Sequence, residues 1–172
     1  MKTFKEFLDE SSLSRIKSKS DKSGIAAVSA DRGDKSRKEN QARSKQLQKD
    51  IRGKFGRGPT KLKGSYLENP GKKDERKVKE KSYAIDRGKM SKKKFKKEVK
   101  KLGKKYGQDA VLTQTKKTGT LSATRKGGLG TKPKNKRPVA STKTVGVGKF
   151  RPGRSSEEGD TKIKNKTFTY EK

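Results

Sequence analysis

Apolar residues along the chain fall into short islands parted by charged or glycine-rich stretches, and the spacing inside each island predicts an element. Phe4, Phe7 and Leu8 stand at i, i+3 and i+4 behind a Thr3-x-x-Glu6 capping-box spacing, which predicts a short amphipathic helix over residues 1–10. Residues 11–23, SSLSRIKSKSDKS, have no period and read as a flexible linker. GIAAVSA at 24–30 is a small apolar run bounded by Gly24 and by the polar DRGDKS, which predicts a buried strand. Ser36 and Glu39 repeat the capping-box spacing and open a helix through about Arg52, with Gly53 as its stop. The apolar face of that helix is thin. Leu47 and Ile51 are i, i+4, and the same stripe toward the N-terminus meets Arg43 and Asn40, so that end either overhangs solvent or places Asn40 and Arg43 at a polar site.

KLKGSYLE and RKVKEKSYAI alternate in part around the ENPGKKDE turn and predict a hairpin. Ser91 then caps KKKFKKEVKKLGKKYG, where Phe95, Val99, Leu102 and Tyr106 recur at helical spacing and Gly107 supplies the stop. DAVLTQT and LSATRK around KKTGT read as a closing hairpin. This order predicts an α+β domain over 24–126, a small mixed sheet with two helices on one face. Residues 127–160 hold three of the five prolines and no amphipathic period, and read as a disordered basic tail. Residues 161–172 carry Ile163, Phe168 and Tyr170 and would add a terminal strand or hairpin.

Charge changes this picture. The net charge is +32 over 172 residues, and residues 91–150 hold nineteen basic side chains against two acidic ones. Leu, Ile, Val and Phe total 27 residues, so the core is small for the length. With no Cys, His or Trp, disulfides, thiol chemistry, structural zinc and imidazole catalysis are excluded. No apolar run is long enough for a transmembrane helix, and no membrane partner is expected. A cationic field of this size attracts polyanions. The expected nucleic-acid surface is Lys92, Lys93, Lys94, Lys96, Lys97, Lys100, Lys101, Lys104 and Lys105 on the second long helix, continued by Arg125, Lys126, Lys134, Lys136 and Arg137. GKFGRG at 53–58 and GGLG at 127–130 lack the strand–loop–helix context of a phosphate loop. Phe55, Tyr66, Tyr83 and Tyr106 fit core positions better than base-stacking ones. No catalytic residue, metal ligand or cofactor is expected.

The segment MKTFKEFLDE resembles the capsid-targeting leader of the internal head proteins of T-even-type tailed bacteriophages. That resemblance implies docking to the phage scaffold core through Phe4, Glu6, Phe7 and Leu8. It also implies cleavage by the prohead protease between Glu10 and Ser11, with Leu8 and Glu10 as recognition residues. A second resemblance covers residues 25–115, which are similar to a small uncharacterised α/β family of bacteria and phages. Its matching positions are Ser29, Ala30, Asn40, Arg43, Tyr106, Gly107 and Gln108.

Together these observations lead to the expectation of a non-enzymatic protein of the phage head interior, present in the host cytoplasm during infection. It would be packaged through its leader and bind DNA by charge neutralisation without base readout. Two alternatives are a host-directed phage protein that binds or inhibits a bacterial enzyme, and an RNA-binding accessory protein.

Overall fold

The computed structural model describes residues 14–68, 73, 76–115, 118–125, 144–152, 159–163 and 166–171. The predicted leader over residues 1–10 lies outside them, as do Ser11, Lys126, Lys134, Lys136 and Arg137. Helix α1 spans residues 14–22, followed by β1 (Ile25–Ser29), α2 (Arg37–Phe55), β2 (Thr60–Glu68) and β3 (Arg76–Asp86). Then come α3 (Lys92–Lys105), β4 (Ala110–Gln114), β5 (Gly119–Ala123), β6 (Thr144–Pro152), β7 (Gly159–Ile163) and β8 (Lys166–Glu171).

The α+β class is as expected. The sheet is larger than expected, antiparallel at every pairing where a mixed sheet was predicted, and closed into a barrel in the order β1-β3-β2-β7-β8-β6-β5-β4. Strand β6 lies inside the stretch expected to be a disordered tail, and β7 with β8 forms the terminal hairpin. Their pairing removes the free edges that an open sheet would expose.

Strand alternation sorts the side chains into two layers. Ala26, Val28, Tyr83, Ile85 and Val111 face outward and form one core with Leu47 and Ile51 of α2 and with Phe95, Val99 and Leu102 of α3. Both long helices therefore cover the same outer face, because their narrow apolar stripes are buried there and nowhere else. Ile25, Ala27, Leu62 and Ala84 face the opposite way, into the barrel, and pack with Ile16 of α1. Residues 11–23 were expected to be a linker, yet α1 forms because Ile16 and Ser20, one turn apart, are both buried and Lys17 pairs with Asp21 at 2.6 Å.

The capping boxes act as predicted where they can be seen. Ser36 accepts from Glu39 N at 3.2 Å while the Glu39 carboxylate accepts from Ser36 N at 2.8 Å, and Ser91 caps α3. Helix α2 does not stop at Gly53. It runs on to Phe55 and ends at Gly56, which takes the left-handed conformation (φ 67°) that closes the last turn. Of the four aromatics weighed as stacking residues, Tyr83 and Tyr106 are core residues and Phe55 packs edge-on against Phe95 at 5.7 Å. The Tyr66 side chain lies outside the described residues.

Candidate active site

The strand β1 ends at Ser29, and the chain turns through Ala30 and Asp31 toward α2. Register places Ser29 opposite Ser82 of β3, so Glu80, two residues further along the same face of β3, lies just beyond the end of β1. Here the polar groups converge. Ser29 N donates to Gln108 Oε1 at 2.8 Å, which leaves the Gln108 amide nitrogen to donate to Glu80 Oε1 at 3.4 Å. Because only the carbonyl oxygen of Gln108 can accept from a backbone N–H, the amide orientation is fixed by the fold. Ser29 Oγ donates to Lys81 O and accepts from Asp31 N at 3.1 Å. Asp31 in turn accepts from Lys81 N at 3.0 Å and from Ser44 Oγ at 3.2 Å.

Burial raises the Glu80 carboxyl above its ordinary value; Ser29 beside it pulls the other way and the negative charge of Asp31 adds to the rise. Among the described residues no cation pairs with Glu80 or Asp31, although the chain carries 51 basic side chains.

The loops that frame this cluster are held by two arginines and an asparagine. Arg43 of α2 donates to Ala30 O at 2.9 Å and to Tyr106 O at 2.6 Å, with its guanidinium 5.7 Å from the Tyr106 ring centre. Arg32 donates to Gly107 O at 2.6 Å, and Asn40 exchanges hydrogen bonds with both the N–H and the C=O of Arg32 at 2.9 Å. Gly107 adopts φ 70°, a conformation other residues resist, and so turns the chain to bring Gln108 back over β1. Tyr106 is anchored by its hydroxyl on Asp50 at 2.7 Å, and burial together with Asp50 pushes that hydroxyl well above its ordinary value.

All seven positions of the second sequence resemblance are thus brought together. Asn40 and Arg43 do not overhang solvent as a free polar face; they brace the two loops around the cluster. Glu80 and Asp31, the two ionisable members, were missed. Glu80 sits in RKVKEKSYAI, where its neighbours are charged as well, and only the β1–β3 register distinguishes it.

The expected nucleic-acid surface is arranged differently from a free cationic strip. The α3 lysines point outward, but Lys101 pairs with Glu98 at 3.2 Å, Lys105 with Asp50 at 2.6 Å, and Arg125 with Asp109 at 2.6 Å. An open groove of about 520 Å³ between α2 and α3 is lined by Lys49, Asp50, Lys54, Lys101, Leu102 and Lys105, and its lysines are largely matched by carboxylates. The Glu80 cluster is the better candidate for chemistry, because there the charge is left uncompensated.

A desolvated carboxylate held by a fixed amide beside a second carboxylate is a perturbed pair of the kind that clusters at functional sites. The chain belongs to the S-Adenosylmethionine lyase family, whose model matches residues 26–172 and so includes every residue of the cluster. No curated protein matches the chain. The family overturns the expectation of a non-enzymatic, DNA-binding internal head protein, because its members are described as lyases. Composition pointed the wrong way for a physical reason: net charge reports the solvated surface, whereas the chemistry depends on a few side chains that charge totals cannot resolve.

Proposed function

We propose that the chain breaks down S-adenosylmethionine at the cluster of Ser29, Asp31, Glu80 and Gln108. The observation that carries this reading is the pair of carboxylates, Asp31 and Glu80, kept without a cation partner among the described residues of a protein with net charge +32. In such a chain a lysine within reach is the default, so a carboxylate pair left open favours a cationic ligand. S-adenosylmethionine is one, with a sulfonium sulfur that neither donates nor accepts a hydrogen bond and is recognised through its charge.

Partial burial strengthens that attraction, since charge interactions grow as water is excluded. Breaking a carbon–sulfur bond at the sulfonium sends the bonding pair to sulfur, which becomes a neutral thioether, while the carbon it leaves is completed within the substrate, by bonding to its own carboxylate as a lactone or by losing a neighbouring proton to form an alkene. The carboxylates therefore hold substrate more strongly than the transition state or the thioether product, which makes recognition and product release their role. Gln108 keeps the Glu80 carboxylate in one orientation, and Arg32, Arg43 and Asn40 hold the loops that carry Asp31 and Gln108.

Calorimetric titration tests this reading. S-adenosylmethionine should bind at least about tenfold more tightly than its thioether counterpart S-adenosylhomocysteine, which lacks the sulfonium charge, and Glu80→Gln should erase most of the difference, as expected for loss of one charged contact. Equal affinities for the two ligands would reject the charge-based site.

A further inference from the structure

At the opposite end of β1 the barrel is incompletely packed. A cavity of about 30 Å³ lies between Ile16 of α1 and the inward side chains Ile25, Leu62, Leu112, Gln114 and Thr161. β4 and β7 stand four places apart in the eight-stranded order, so a cavity touching both Leu112 and Thr161 lies inside the barrel. Gln114 is 3% exposed; its Nε2 donates to Thr115 O at 2.7 Å, and its Oε1 has no partner among the described residues. Ser20, one turn after Ile16 on α1, is 2% exposed and its Oγ is also unpartnered there. Buried acceptors of this kind are ordinarily satisfied by ordered water, and the cavity exceeds the roughly 10–15 Å³ that one water needs.

We propose that the barrel interior beneath α1 binds ordered water at Gln114 Oε1, and that α1, held by a single core hydrophobe, is a plug able to lift from the barrel mouth without the barrel unfolding. The attachments of α1 fit a separable element. Ile16 is its one core hydrophobe among the described residues. Its C-terminal end is held by polar contacts: Ser23 Oγ donates to Asp86 Oδ1 at 2.8 Å, Lys19 Nζ lies 3.7 Å from Asp86 Oδ2, and Arg87 Nε donates to Ser23 O. None of the residues of the larger core, where α2 and α3 pack, belongs to α1. Departure of α1 exposes the small apolar cluster of Ile25, Leu62 and Ala84 together with the hydrated Gln114 amide, and leaves the larger core intact.

Hydrogen exchange of the full chain, resolved by mass spectrometry, tests the proposal. Amides of residues 15–22 should exchange at least about tenfold faster than those of β1 and β3, as a separate opening unit does. Ile16→Ala should speed exchange in α1 alone, while Gln114→Met, which removes the unpartnered acceptor at nearly unchanged side-chain size, should slow it. Exchange of α1 and the strands at one common rate, or an equal effect of Ile16→Ala on both, would overturn the plug. Unchanged α1 exchange in Gln114→Met would overturn the water site.

Discussion

Two glycines inside helices meet opposite surroundings, so the same substitution should change stability in opposite directions. Gly103 of α3 is buried against β4, and a Cβ built there would stand 2.4 Å from Val111 Cγ1 and 2.8 Å from Thr124 Cγ2. Both neighbours are short, branched and buried, so neither can swing away as the end of a long side chain could. Gly53 of α2 has nothing within 4 Å of the corresponding position. Replacing a helix-interior glycine by alanine gains about 0.5–1 kcal/mol through the backbone in either place. At Gly103, overpacking costs about 1–3 kcal/mol against that gain. Gly53→Ala should therefore be stabilising and Gly103→Ala destabilising, and the difference between them, about 1–3 kcal/mol, is the overpacking alone. Thermal melts should separate the two variants by about 2–4 °C for each kcal/mol at this chain length. A rise in Tm of similar size for both would refute the close approach of α3 to β4 that brings the 106–108 turn, and with it Gln108, over β1.

The remaining expectations concern core, charge and site. Leu47→Ala, which truncates a fully buried side chain, should lose about 2–5 kcal/mol in urea unfolding, whereas Lys96→Ala on the exposed face should stay within about 0.5 kcal/mol of the parent. Burial raises the Asp86 carboxyl, but Gly88 N–H, Ser23, Lys19 and Arg57 together outweigh it, so its folded value lies below the ordinary 3.8; its contribution is present above that value and is lost as acid titration proceeds below it, a loss absent in Asp86→Asn. Glu80 has the opposite sign: burial, with Asp31 adding to it, raises its value above 4.5, so its ionised form costs stability once the pH rises through that raised value. Glu80→Gln should accordingly melt no lower than the parent at neutral pH, and a lower Tm would show that the carboxylate is structural.

Much of this architecture was legible in the chain. The α2 and α3 stripes, β1, and the hairpins β2–β3 and β4–β5 follow from period and capping, because each buries one face through residues close in sequence. Strand β6 was not, since TVGVGKFRP carries no amphipathic signal and its place depends on pairing with β5 and β8, whose partners lie far apart in sequence. Helix α1 was hidden for a similar reason: Leu13 and Ile16 are the only apolar residues in a Ser/Lys-rich stretch, and Ile16 counts only once the barrel mouth gives it something to cover. At the site, Ser29, Gly107 and Gln108 were marked by the second resemblance, Gly107 also as the stop of the second long helix. Glu80 became visible only when the register set it beside Gln108, and the lysine-rich surface drew attention to polyanions and away from the carboxylates.

Turnover of S-adenosylmethionine by the purified full chain tests the central claim most directly. Loss of the substrate and matching appearance of a thioether nucleoside, followed by chromatography with mass detection, should be seen with the parent protein. At substrate far below KM the rate should fall at least about tenfold in Glu80→Gln, through weaker capture of the sulfonium and not through a lower kcat, while Lys96→Ala retains it. The parent rate should decline on acidification through the raised Glu80 value. A folded parent protein that leaves S-adenosylmethionine intact, or a Glu80→Gln variant that consumes it at the parent rate, would contradict the assignment of the reaction to this cluster.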